Sequence, residues 1–233
     1  MKLSIVVPCY NEAENIPLIL ERFRAVIVRD DVEVILVDNN SSDNSKVVLA
    51  ELLPKYNFAR SVFEPSAGYG NAILAGLRAG RGEYLGWTHA DMQTDPKDTI
   101  RALEIMEDAG SPKDIYVKGR RHGRPLMDVV FTFGMSVFET MYMRRVLFDI
   151  NAQPNIFHKT FFEKWKNPPG DFAFDLYALY LAKTMNIRIV RFPVIFPKRI
   201  HGASTWNTGF ASKWKFIKRT FRFSVELKKR LAK

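Results

Sequence analysis

Val32-Glu-Val-Ile-Leu-Val-Asp-Asn-Asn-Ser-Ser-Asp43 decides the fold. A β-branched run closes on an aspartate, a polar turn follows, and a helix opens around Asn44 and continues to Leu53. A strand this apolar has no side fit for water, so it belongs to a sheet covered on both faces. The same order recurs along the first half of the chain. Leu3-Ser-Ile-Val-Val-Pro8 is a strand, and Asn11 with Glu14 reads as a capping box opening an amphipathic helix through about Val28. A third strand near Phe58 to Phe63 leads through Pro65-Ser-Ala-Gly-Tyr-Gly70 into a helix over Asn71 to Ala79. Glu83 to Thr88 is a fourth strand, Ile100 to Met106 a helix, and Asp114 to Lys118 a fifth strand. Strands alternating with helices predict an α/β fold with a mostly parallel central sheet and helices on both faces. Ligands of such sheets bind beyond the carboxyl ends of the strands. Pro8 to Glu12, Asp38 to Ser41, Gly68 to Asn71 and His89 to Gln93 all lie at such ends, so four polar loops are expected on one rim.

The richest of these loops lies in Leu85-Gly-Trp-Thr-His-Ala-Asp-Met-Gln-Thr-Asp-Pro96. Asp95 reads as an N-cap and Pro96 as the first helical residue, which leaves His89, Asp91 and Gln93 in the turn. If the turn stays extended, alternate residues point the same way and three donors converge. Such a set suits Mn2+ or Mg2+ holding a diphosphate. The competing reading is that Asp91 and Asp95 only cap a helix. The gathering of four polar loops favours the functional reading.

Of the 233 residues 47% are hydrophobic and 26% charged, which fits one sizeable folded domain and not a disordered chain. Beyond Arg121 the alternation loosens into a long helical stretch to Phe148, a turn at Asn151-Ala-Gln-Pro154, a helix from about Asp171 to Met185, and a strand near Ile187 to Phe192. Residues 1–211 are read as one domain and 212–233 as a basic amphipathic helix. The lone Cys9 excludes an internal disulfide and reads as a buried structural residue, so a reducing, cytoplasmic setting fits best. The first residues lack the pattern of a signal peptide. The longest apolar stretch, Val129 to Phe138, is too short to span a bilayer.

The net charge of +10 is concentrated at the end: residues 212–233 hold nine Lys or Arg against Glu226. The near-neutral body argues against a nucleic-acid groove, and no nucleic-acid partner is expected. In helical projection Lys215, Lys218, Arg219, Arg222, Lys229, Arg230 and Lys233 share one arc, while Trp214, Phe216, Ile217, Phe221, Phe223, Val225, Leu227 and Leu231 lie in the remainder. This helix either lies peripherally on an anionic membrane at its cytoplasmic face or docks on the domain with its basic side in water.

Val6-Val-Pro-Cys-Tyr-Asn-Glu12, Leu36-Val-Asp-Asn-Asn-Ser-Ser-Asp43, Gly68-Tyr-Gly-Asn-Ala72 and Ala90-Asp-Met-Gln-Thr-Asp-Pro96 resemble, in order, the signatures of family 2 inverting glycosyltransferases of GT-A fold. Within that family the similarity points to the polyprenyl-phosphate sugar synthases, including dolichol-phosphate mannose synthase. It covers roughly residues 3 to 121. The resemblance implies a UDP- or GDP-sugar donor, bound by the half 1–121, and a polyprenyl phosphate or lipid-linked glycan acceptor at the half 122–211. It assigns Pro8, Tyr10 and Glu12 to the base and ribose pocket and Asp38 to the base edge, with Asn11, Asn40, Gly68, Asn71 and Ala90 beside the donor. The two glycines, Gly68 and Gly70, would admit close backbone approach near the sugar nucleotide. The family's Asp-x-Asp has His89 in its first position here, followed by Asp91 and then Gln93. His89 either ligates the metal or contacts sugar or phosphate.

Gly119-Arg-Arg121 resembles the family's Gly-Ser-Arg and implies a phosphate-holding role for Arg121. Arg199-Ile-His-Gly-Ala-Ser204 resembles a loop that folds over the diphosphate, which implies that Arg199, His201 and Ser204 neutralise the leaving nucleotide. The acidic acceptor position of the family is occupied by Gln153. A lipid phosphate is already ionised and needs no base, whereas a sugar hydroxyl needs one. Asp149, Asp171 and Asp175 are the candidates, and Asp171 and Asp175 share a helical face if both are helical. A sugar-phosphate nucleotidyltransferase is a weaker reading, because the loop after the first strand is Pro-Cys-Tyr-Asn-Glu and not glycine-rich. A catalytically inactive membrane- or nucleic-acid-binding module is the rival from a different class.

Overall fold

The computed structural model describes residues 1–197 and 210–231, the latter with side chains at Lys218 and from Thr220 to Arg230. Its strands are β1 (Leu3–Cys9), β2 (Val32–Asp38), β3 (Ala59–Phe63), β4 (Tyr84–Trp87), β5 (Ile115–His122), β6 (Asn155–His158) and β7 (Arg188–Ile195). They form one sheet in the order β3-β2-β1-β4-β6-β5-β7. Every pairing is parallel except those of β6, which runs antiparallel to both β4 and β5. The helices are α1 (Asn15–Val26), α2 (Ser45–Leu52), α3 (Tyr69–Ala79), α4 (Lys97–Asp108), α5 (Leu126–Met143), α6 (Lys159–Phe162), α7 (Phe174–Thr184) and α8 (Phe210–Leu231).

Strand periodicity divides the core into two layers. Leu3, Ile5, Val7 and Cys9 of β1 and Val32, Val34 and Leu36 of β2 pack with Ile16, Ile19, Leu20 and Phe23 of α1 and with Ala102, Leu103 and Met106 of α4. Val6, Ile35 and Val37 turn to the other face, toward Ala72, Ile73 and Leu77 of α3 and Phe174, Ala178 and Ala182 of α7. Burial of each large apolar side chain contributes about 1.5–3 kcal/mol, so both sheet faces are heavily favoured. Glu33 interrupts the apolar run of β2 near the amino edge. Ser4 Oγ (2.6 Å), Arg60 Nε (2.9 Å) and the Arg81 amide (2.8 Å) donate to its carboxylate. Although burial acts to raise its pKa, these donors win and hold Glu33 below the usual carboxylate range.

The structure corrects several boundaries. The expected capping box does not form: α1 starts at Asn15 without a side-chain cap, and Asn11 sits at φ +57° with its side chain bonded to the next loop. The long helical stretch ends at Met143 and not at Phe148, because Arg144 adopts a left-handed conformation and closes α5. Asp171 lies ahead of α7, where its carboxylate accepts from the Ala173 amide at 2.9 Å, so it shares no helical face with Asp175. The turn ending at Pro154 feeds β6, a strand absent from the sequence reading.

The described side chains of α8 are docked on the domain. Leu227 is buried with Met143, Leu147, Leu176 and Leu179. Phe221 packs against Phe138 at 5.3 Å between ring centroids, Ser224 Oγ donates to the buried Glu139, and Lys228 Nζ donates to the Tyr142 carbonyl at 2.7 Å. Over this part the tail packs through Leu227 and Ser224 with Lys229 and Arg230 outward, while Phe221 stays half-exposed. No described helix is long and apolar enough to cross a membrane.

Candidate active site

The parallel strands β1, β2, β3 and β4 direct their loops to one edge, and the first two are laced together. Asn11 Oδ1 accepts from the Ser42 amide (2.8 Å) and hydroxyl (3.2 Å), and the Asn11 amide donates to Ser41 Oγ at 3.1 Å. The amide of Glu12 donates to Ser45 Oγ and that of Ala13 to Asp43 Oδ2. Asp38 is buried, and one of its oxygens accepts from the Ser41 amide at 3.0 Å within its own turn. Asn39, which sequence reasoning passed over, ties this loop to the next. Its Nδ2 donates to the carbonyls of Glu64 and Ser66, and its Oδ1 accepts from the Gly68 amide at 2.7 Å. Only its position beside Asp38 could have signalled it. Tyr10 stands 57% exposed at the end of β1, an aromatic face available for stacking, while Pro8 is half-buried and Asn40 exposed.

Gly68 and Gly70 stand where a second backbone segment comes close. A Cβ on Gly68 would lie 2.3 Å from the Gly170 carbonyl oxygen, and one on Gly70 would lie 2.3 Å from that of Pro169. The segment before α7 occupies the space above them, held also by the Asn71 amide, which donates to the Gly170 carbonyl at 3.1 Å.

The turn after β4 is closed and not extended. Thr88 and Thr94 join their hydroxyls at 2.9 Å across its base. Met92 takes φ +62° and is buried in the core, so strict alternation of His89, Asp91 and Gln93 fails. Asp91, next to the buried Ala90, is 8% exposed, and its Oδ1 accepts from the Gln93 amide at 3.2 Å. The Gln93 side chain reaches across to donate to the Pro197 carbonyl at 3.1 Å. The His89 ring lies 6.0 Å from that of Tyr69, which stacks on Phe172 at 5.2 Å. Helix α4 starts at Lys97 with Pro96 and not Asp95 at the N-cap position, and Asp95 Oδ1 accepts from the Lys97 amide at 3.0 Å just ahead of it. Among the described residues no three His, Cys, Asp or Glu side chains converge as a metal group. One loop carboxylate with an amide nearby still fits Mg2+ or Mn2+ bound mainly through a ligand's phosphates.

Because β6 is antiparallel, its first residue, Asn155, sits at the same edge, between Trp87 and Lys118. Asp175, one of the three candidate bases, is buried there. Trp87 Nε1 (3.3 Å), Gln153 Nε2 (3.1 Å) and Asn155 Nδ2 (3.3 Å) all donate to its Oδ1. Lys118 is also buried and donates to the Ala152 carbonyl and to Asn155 Oδ1. Desolvation lowers the Lys118 pKa to about 7, against the pull of Asp175. Gln153 Nε2 also donates to Tyr69 Oη at 3.2 Å. Burial first, and then the Asp175 charge, push that phenol well above its ordinary pKa.

Asp149 and Arg121 find each other. The Arg121 amide and Nε donate to the two Asp149 oxygens at 2.8 and 2.7 Å. Burial acts to raise the Asp149 pKa, but the Arg121 charge and hydrogen bonds outweigh it and hold the carboxyl below the usual range. Beside this pair opens a cleft of about 280 Å³ whose lining includes Arg120, Arg121 and Arg124 together with Val129, Phe133 and Phe148. Arg124 Nε is buried there without a hydrogen-bond partner among the described residues. Arg199, His201 and Ser204 lie outside the described residues.

A mostly parallel sheet with polar loops gathered on its carboxyl edge has the architecture of a nucleotide-binding α/β domain. The chain belongs to glycosyl transferase family 2, whose profile matches residues 4–168. It is 33% identical over 111 residues to an undecaprenyl-phosphate 4-deoxy-4-formamido-L-arabinose transferase of Yersinia enterocolitica, a match covering 46% of this chain and 34% of that protein. A transferase of the same description from Photorhabdus laumondii is 34% identical over 110 residues, again 46% and 34% of the two chains. The match thus spans about a third of these relatives' length. Among solved structures, glucosyl-3-phosphoglycerate synthase from Mycobacterium tuberculosis with Mn2+, UDP and phosphoglyceric acid superposes with a TM-score of 0.69 at 15% identity, over 95% of this chain and 78% of that one. A mannosyltransferase from Pyrobaculum calidifontis with GDP-Man and Mn2+ gives 0.65 at 22% identity, over 85% and 58%. The α/β fold is the GT-A-like fold of these glycosyltransferases.

Proposed function

We propose that the chain transfers a sugar from a UDP- or GDP-sugar to a polyprenyl phosphate, inverting the anomeric carbon and releasing the nucleoside diphosphate. The observation that carries this reading is the placement of Asp91, in a closed turn, on the same edge as the loops of Tyr10, Glu12 and Asp38. Tyr10 stacks on the base, and Glu12 and Asp38 accept from base N–H or ribose hydroxyls. Asp91, with Gln93 or His89 beside it, holds the divalent ion, which when bound offsets charge on the diphosphate. The family resemblance adds Arg199, His201 and Ser204 as further diphosphate contacts.

The acceptor assignment rests on the state of the carboxylates. Asp149 is paired with Arg121, Asp171 closes a turn, and Asp175 is buried under three donors. These engagements favour a nucleophile that arrives ionised. The acceptor phosphate oxygen attacks the anomeric carbon as the bond to the diphosphate breaks, and no proton moves. A cleft lined by both arginines and aromatic and aliphatic side chains suits such an amphiphile. The names of the undecaprenyl-phosphate transferases above agree with this class of acceptor.

The test is incubation of labelled UDP- and GDP-sugars with undecaprenyl phosphate and Mn2+. Expected is a lipid-phosphate sugar of inverted configuration. Transfer only to a glycan hydroxyl would replace the acceptor reading, and no transfer from any nucleotide sugar would remove the whole of it.

A further inference from the structure

Helix α5 is turned inside out. Its buried side carries Ser136 and Glu139 together with Met143. Its water-facing side carries Leu126, Met127, Val130, Phe133, Val137 and Met141, from 42% exposed at Val137 to 75% at Leu126 and Met141. At 100° per residue these six fall in one stripe along a helix about 27 Å long. A helix packed only on a globular core places such residues inward. An exposed apolar stripe of this extent marks an interaction surface.

The charges around the stripe choose its occupant. Arg120 and Arg124 precede the helix, and Arg144 and Arg145 follow it, the last two exposed. Val146 and Phe148 continue the apolar surface beyond Met143. The two acids of α5 stand aside: Glu139 is buried against Ser224, and Asp128 lies in the first turn. Two copies packed antiparallel through this stripe would set arginines against arginines at both ends, which disfavours self-association. An anionic surface with an apolar interior satisfies both the stripe and its ends.

We propose that α5 lies in the interface of an anionic lipid bilayer, seated by Leu126, Met127, Val130, Phe133, Val137 and Met141 and flanked by arginines on lipid phosphates. The tail helix buries Leu227 in the domain and leaves Phe221 half-exposed beside Phe138 of α5. The proposed contact goes beyond the transfer reaction, although Arg120, Arg124 and Phe133 also line the cleft assigned to the acceptor.

The full chain is to be sedimented with phosphatidylcholine vesicles with and without phosphatidylglycerol. Binding is expected only with phosphatidylglycerol, falling as salt is raised. The V130E/V137E variant, changed at exposed positions, is expected to lose at least about tenfold in vesicle partitioning while keeping the circular dichroism and soluble-donor binding of the parent. In a second measurement, Met141→Cys carries an environment-sensitive dye. Cys9 is buried, so labelling is specific, and the dye emission should shift to the blue on anionic vesicles. Parental binding by V130E/V137E, an unshifted dye, or a stable dimer that the variant dissociates would each overturn the proposal. Donor binding retained in a chain that ignores vesicles would leave the transferase reading standing, which keeps the two failures distinct.

Discussion

The two halves of the rim use polar residues in opposite ways. On the side of β1 to β4, Tyr10, Asn11 and Asn40 are exposed, and the loops are joined by side chain to backbone bonds such as Asn11 to Ser42. On the side of β5 and β6, Lys118, Gln153, Asn155 and Asp175 are buried and paired with one another. Apart from the buried Asp38 and Asn39, the first half can therefore lose a side chain and keep its fold, losing ligand contacts instead. The second cannot, because each buried partner left alone costs about 1–3 kcal/mol.

Asp175→Ala is the largest test of this contrast. It strands donors from Trp87, Gln153 and Asn155 and should cost at least about 3 kcal/mol in urea unfolding at neutral pH. Asp175→Asn keeps an acceptor and should recover most of that stability. Parental stability of the alanine variant would mean that the buried network is not the framework of this half.

Glu139 sharpens the contrast at the helical end. Burial raises its pKa to about 7, partly opposed by the Ser224 hydroxyl. The folded state therefore holds a proton that the unfolded chain releases near pH 4.3, and stability falls as pH rises from there through about 7. Glu139→Gln should lift the melting temperature by several degrees at pH 8 and change it little near pH 4. Equal shifts at both pH values would contradict the assignment.

Asn11→Ala should give the smallest change, about 1 kcal/mol in stability, with donor affinity weakened a few-fold as the two loops loosen. A loss as large as that of Asp175→Ala would erase the distinction between the halves.

The same contrast explains what the sequence disclosed. Apolar strands ending in polar turns announce themselves, so β1 to β5 and the four rim loops were legible from residues 3 to 122. Local bonding was not. Asn11 looks like a cap beside Glu14, yet a positive φ turns it to the neighbouring loop. Asn155-Ile-Phe-His158 is too short and mixed to read as a strand, and its antiparallel insertion between β4 and β5 is set by its partners. Asp149 looked like a free base because its pairing with Arg121 spans 28 residues. The backbone at Pro169 and Gly170 that crowds Gly68 and Gly70 lies about a hundred residues away, so nothing beside the two glycines announced it. Amphipathicity of the tail was visible, whereas the surface that receives it required α5 and α7 in place.

Calorimetric titration of UDP- and GDP-sugars into the parent and Asp91→Asn, with and without Mn2+, bears most directly on the donor edge. The parent should bind one donor class in a Mn2+-dependent manner. Asp91→Asn should bind it at least about tenfold more weakly, a loss of about 1.4 kcal/mol or more, and should no longer respond to the metal, at unchanged melting temperature. Undiminished, Mn2+-dependent binding by the variant would contradict the placement of the donor diphosphate at Asp91.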